Sequence, residues 1–127
     1  MIDLAVVIAH TADLCRKPYQ HAVVPIHEEV EPSSIDDLFV RIETRDASGS
    51  RMEAMDLELE IYRSGSDVNL MLSWCDQAER PMLWQGQHPV WMQGDNGMRC
   101  TAPADGQPLE AIARRLRAKL VGQSRDH

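Results

Sequence analysis

Two adjacent segments constrain the fold more than any other part of the chain. Met55, Leu57, Leu59 and Ile61 alternate with Asp56, Glu58, Glu60 and Tyr62. Val68, Leu70, Leu72 and Trp74 alternate with Asn69, Met71, Ser73 and Cys75. A period of two puts each apolar set on one face of a strand. The apolar positions are odd in the first segment and even in the second, so an antiparallel pair must have an odd residue sum. A turn at Ser64-Gly65 meets that condition, with glycine free to take the positive φ of a tight hairpin. It pairs Ile61 with Val68, Leu59 with Leu70, Leu57 with Leu72 and Met55 with Trp74. Extended backwards across a loop at 46–51, the same rule pairs Ile42 with Met55, Val40 with Leu57 and Leu38 with Leu59. Arg41 then faces Asp56 on the polar side.

Helices are expected at both ends. In residues 2–16, Asp3, His10, Asp13 and Lys17 form a narrow polar stripe on an otherwise apolar wheel, and Pro18 forbids continuation. This pattern predicts a largely buried helix. Residues 18–34 read as an irregular connection with a short extended piece at Ala22–Ile26. Residues 81–102 predict two further hairpins, with strands near 82–85, 90–93 and 98–102. A turn at Gly86–Pro89 sets Trp84 opposite Trp91, and Asp95-Asn96-Gly97 is a tight-turn signal. Leu109, Ile112, Ala113, Leu116 and Leu120 form the apolar stripe of a helix over 108–121, ended by Gly122, with residues 123–127 frayed. The expected fold is α+β: an N-terminal helix, a five- to six-stranded antiparallel meander sheet and a C-terminal amphipathic helix packed on one sheet face, in a single domain over residues 1–127.

Composition narrows the function classes. The 127-residue chain is 43% hydrophobic and 26% charged, with a formal net charge of −7, the balance of an ordinary soluble globular protein. The acids fall early, and Arg114, Arg115, Arg117, Lys119 and Arg125 fall late. Such a charge disfavours nucleic acid and anionic membrane, and those helix cations also suit the helix dipole. No stretch approaches the roughly 20 apolar residues of a membrane span. Cys15, Cys75 and Cys100 are widely spaced and odd in number, which argues against a disulfide framework and for the cytoplasm. In size, acidity and helix–sheet–helix order the layout is similar to small acidic chaperones of bacterial secretion systems. It also resembles pleckstrin-homology-like domains in closing an antiparallel sheet with a helix. Both resemblances are architectural, and no residue motif carries them.

No catalytic constellation stands out. Cys15, His21 and His27, and Cys75, His88 and Cys100, lack the close ligand pairs of structural zinc, so neither a metal nor a cofactor is expected. The alternative expectation is a small-ligand or metal-dependent enzyme with a pocket between sheet and helices, with His88 as acid or base and Cys75 or Cys100 nearby. Glu43, Asp56, Glu58 and Glu60 read as a solvated polar face. The charge-poor run from Trp84 to Met92 is the most unusual feature, and with Trp74 it forms an aromatic cluster suited to either a core or an interface. The expectation is a non-enzymatic binding or assembly module, acting on a protein partner or as a homodimer through Trp84, Gln87, His88, Trp91 and Met92.

Overall fold

A computed structural model describes residues 3–26 and 38–124, with side chains to Val121. Helix α1 (Leu4–Cys15) leads into seven strands: β1 (Gln20–Pro25), β2 (Leu38–Arg45), β3 (Leu57–Ser64), β4 (Asp67–Trp74), β5 (Met82–Gln85), β6 (Pro89–Met92) and β7 (Arg99–Cys100). Helix α2 (Gln107–Ser124) closes the order. The strands form one antiparallel meander in which spatial order equals chain order. The fold is therefore α+β as expected, with one strand more than the upper expectation. The added strand is β1, whose six residues pair along the edge of β2 where only a short extended piece was predicted. Pairing satisfies backbone groups that an irregular segment would have to leave to water.

Both helices cover the same face of the sheet. Val40, Ile42, Leu57, Leu59, Ile61, Leu70, Leu72 and Leu83 form that face, packed against Ile8 and Ala12 of α1 and Leu109, Ile112, Leu116 and Leu120 of α2. Asp3 caps α1, accepting hydrogen bonds from the amides of Ala5 and Val6. Only one side of α1 is buried: Val6 and Leu14 are exposed, contrary to the expectation of a largely buried helix. Helix α2 runs through Gly122 rather than ending there. The expected readings at His27 and over 32–35, and at 125–127, lie outside the described residues.

The register differs from the sequence arithmetic in two ways. The β3–β4 hairpin turns at Gly65-Ser66, with Gly65 at φ +65°, and pairs Leu57 with Trp74, Leu59 with Leu72 and Ile61 with Leu70. Likewise β2 pairs Ile42 with Leu57, Val40 with Leu59 and Leu38 with Ile61. Each differs from the expected pairing by an even number of residues, so every side chain keeps its face. The β5–β6 hairpin differs by one. Gln85 pairs with Pro89 and Leu83 with Trp91, leaving Trp84 opposite Val90. That single-residue slip sends the two tryptophans to opposite faces.

Trp91 lies in the core, 5% exposed, and its indole N–H donates to Glu110 at 2.7 Å. Trp84 lies on the uncovered face and donates to the Tyr62 hydroxyl at 2.7 Å. Its ring rests over Gly86, where an added Cβ would stand 2.6 Å from the Trp84 ring. Trp91→Ala is therefore expected to cost about 3–5 kcal/mol of stability, the range for emptying a buried aromatic site. Trp84→Ala should cost less than half as much, and urea denaturation of the two variants measures the contrast.

Candidate functional site

The face that the helices leave open carries three rungs of side chains. One runs Phe39, Glu60, Met71, Trp84, Val90 across β2 to β6. The next runs Arg41, Glu58, Ser73, Met82, Met92, Arg99 from β2 to β7, with Ser73 and Met82 continuing the Leu72–Leu83 register. The third holds Tyr62 and Asn69 beside Gly86 and the β5–β6 turn. The centre of this face, on β4 to β6, is apolar: Met71, Met82, Trp84, Val90 and Met92 are half-buried. It is bounded by acids on β3 and by exposed Arg99 on β7. A hollow of about 540 Å³ opens beside it, edged by Glu58, Asp76, Glu79 and Arg80.

Of the residues expected to bind a partner, Trp84 and Met92 therefore share this open face, and Gln87 and His88 are exposed in the turn at its end. Trp91 is separated from them by the sheet itself and belongs to the core. Trp74 is also buried, its ring covered by the Arg80 guanidinium at 3.9 Å. The aromatic trio thus divides into two core residues and one on the open face.

The acidic row is not a uniform solvated face. Asp56 is fully buried beneath the segment that joins β2 to β3. Its carboxylate accepts from the Thr44 amide at 2.8 Å and from both terminal nitrogens of Arg51 at 2.9 and 2.8 Å, with Arg41 Nε at 3.5 Å. Glu43 also approaches Arg51, at 3.7 Å. Burial works to raise the Asp56 carboxyl, but the Arg51 hydrogen bonds, the Thr44 amide and the two guanidinium charges outweigh it. The carboxyl is held below the ordinary aspartate range. Glu58 and Glu60 remain on the outer face.

A second polar cluster, on the helix side, went unrecognised in the sequence because its members are scattered over forty residues. Arg16, the C-cap of α1, is buried at 5% exposure. It donates to Thr44 Oγ1 at 3.1 Å and to the Met55 carbonyl at 3.0 Å, and it meets His21 Nε2 at 3.1 Å. His21 Nδ1 lies 2.9 Å from Asp13. Arginine can only donate, so Nε2 accepts and Nδ1 carries the proton, which makes His21 the neutral Nδ1–H tautomer. Burial lowers the His21 pKa. The Asp13 hydrogen bond opposes that shift and the Arg16 charge reinforces it.

The nucleophile pairs do not form. Cys75 sits at the far end of β4 from the β5–β6 turn, about six strand residues or roughly 20 Å from His88. Burial pushes its thiol up to about 11. Cys100 pairs with Trp91 one hairpin arm away from the His88 turn. Among the described residues no group of three or more His, Cys, Asp or Glu could hold a metal ion. Of the late cations, Arg117 donates to the Val68 carbonyl at 3.0 Å and Lys119 to Thr11 Oγ1 at 3.3 Å, whereas Arg114 and Arg115 are exposed.

Two helices on one face of a seven-stranded meander, with a half-buried apolar patch on the other that no described element covers, define a one-sided α+β arrangement. The sequence places the molecule in a family: the chain belongs to the Domain of unknown function (DUF8659), matched over residues 5–119, from the first turn of α1 to the last third of α2. No curated protein and no solved structure matches the chain, so the resemblances in layout rest on layout alone. Among the described residues no helix is long and apolar enough to cross a membrane.

The two polar clusters set the acid sensitivity of the fold. His21 is lowered on folding, so its stabilisation is present above the unfolded value of about 6.5 and is lost as pH falls below it. Asp56 is lowered too, and its contribution is lost as pH falls below about 4. Stability measured by urea denaturation should fall in these two stages, and His21→Gln should flatten the first. Asp56→Ala should cost about 1–3 kcal/mol at neutral pH, chiefly because it leaves the buried Thr44 amide without an acceptor.

Proposed function

We propose that this protein is a non-enzymatic assembly module that acts by self-association through the open face of its sheet. The observation that supports this reading most is the rung Glu58, Ser73, Met82, Met92, Arg99. Its centre, Met82 and Met92, is apolar; Glu58 flanks it on β3, with Arg41 next to it on β2, and Arg99 flanks it on β7. Met82 on β5 is the middle of the five, with two strands on either side. A two-fold axis parallel to the strands and passing over β5 would therefore lay β3 of one copy on β7 of the other. Arg99 of each copy then meets Glu58 of its partner, Trp84 faces Trp84, and Met71 on β4 faces Val90 on β6 of the other copy. An isologous contact needs this kind of self-complementary patch, and aligned sheets pack face to face about 10 Å apart. A turn bearing exposed Gln87 and His88 borders the contact as its polar rim.

The three free cysteines suit a reducing compartment, and we place the protein in the cytoplasm.

Sedimentation or native mass spectrometry should show a concentration-dependent dimer of the 14.4 kDa chain. Met92→Glu should yield a folded monomer by circular dichroism. Glu58→Arg and Arg99→Glu should each weaken the dimer at least tenfold, and the double exchange should restore it. A monomer at all concentrations, or a dimer indifferent to all three changes, rules this assembly out.

A further inference from the structure

A second cavity lies on the helix side, away from the proposed contact face. It measures about 170 Å³ and sits between the end of α1, the sheet at Met55 and Trp74, and the first turn of α2 at Pro108 and Leu109. Its charged wall is Arg16. The hydrogen bonds of that buried guanidinium go to a hydroxyl, an imidazole and a carbonyl, all neutral. Among the described residues no carboxylate pairs with it. Burial lowers the Arg16 pKa, and the nearby charges of Asp56 and Asp105 offset only part of that cost without bonding to it.

The rest of the wall sharpens the electrostatics. Lys17 stands exposed beside Arg16 at the cavity. Asp105 is the acid in the lining, and it is engaged by Arg80 at 2.6 Å. The first turn of α2, with the positive end of an 18-residue helix, adds to the same field. Tyr19, Trp74, Pro108 and Leu109 supply flat, largely apolar surface. Cation and apolar wall thus stand side by side in a protein whose net charge is −7.

We propose that this cavity binds a small organic carboxylate with a body the size of one ring, its carboxylate paired to Arg16 and its body held against Trp74 and Tyr19. An apolar cavity of about 150 Å³ accommodates a benzene ring, so the volume here suits a ring bearing a single carboxylate. With Arg16 Nη1 engaged by His21 and Thr44 and one Nη2 hydrogen by the Met55 carbonyl, Nε–H and the second Nη2–H are the donors left to meet a carboxylate side-on, and a neutral amide of the same shape forfeits the charge-assisted part of that contact. The apolar walls select against a bare inorganic anion. This site is independent of the proposed dimer, since it lies on the opposite side of the sheet.

The test titrates the full chain with benzoate, benzamide and inorganic phosphate. Binding is followed by the Trp74 indole N–H resonance and by alkylation of Cys15, which lines the same cavity. Benzoate should shift the resonance saturably and slow Cys15 labelling. Benzamide should bind at least tenfold more weakly, and phosphate should leave both signals unchanged. Arg16→Gln should abolish benzoate binding. Lys17→Gln, at an exposed position that leaves the fold intact, should weaken it two- to threefold. Equal binding of benzamide and benzoate, phosphate binding as tight as benzoate, or no saturation by benzoate up to roughly 10 mM overturns the proposal.

Discussion

The pairing of β2 with β3 depends on a single buried carboxylate. Asp56 takes the amide of Thr44 and both arms of Arg51, and in doing so pins the segment 46–55 against the end of the sheet. Inside that segment Asp46 organises its own turn, accepting from the amides of Ser48 and Ser50. Glu53–Met55 then form a short 3-10 turn that delivers the chain to Leu57. Because Asp56 must reach the Thr44 amide, Ile42 meets Leu57 rather than Met55, and the whole central register follows. An isolated surface ion pair would contribute little to stability, but one bent inward with every oxygen engaged acts as a positional lock.

From that lock the two faces diverge. The helix side closes into a largely aliphatic core that also buries Thr11, Gln85 and, at its end, a polar cluster in which Arg16 donates to His21 and Thr44. The outer side receives no covering element among the described residues and keeps methionine and tryptophan half in water. A tryptophan laid flat over glycine, as Trp84 is over Gly86, presents its ring to the exterior without leaving its indole N–H unpaired. Arg80 performs the complementary service at Trp74, covering the ring while tying the β4–β5 loop to Asp105 ahead of α2.

The alternation of residues 55–62 and 68–75 was enough to read the central hairpin, its faces and the α+β class, because a two-residue period survives any even change of register. The turns were less legible. At β5–β6 the difference between a four-residue and a three-residue loop rests on whether Pro89 joins the strand, which local propensity does not decide, yet it determines whether Trp91 is core or surface. Edge strand β1 was nearly invisible, since its pattern is weak and its order comes from β2. Asp56 sat in a clean polar alternation and gave no hint of burial; only Arg51, five residues earlier and across a loop, makes it so. The Arg16 cavity had no local signature at all, because its walls come from both helices and the sheet.

A meander whose strand order repeats its chain order also constrains how the molecule can assemble itself. Every strand pairs with its sequence neighbour, so each step of sheet formation closes a short loop, and loop-closure entropy rises only slowly along the way. The exception is the docking of α1 on α2, marked by the bond from Lys119 to Thr11 across 108 residues. The sheet can therefore be built from neighbouring pairs alone, while the aliphatic core is sealed only where the two ends of the chain meet.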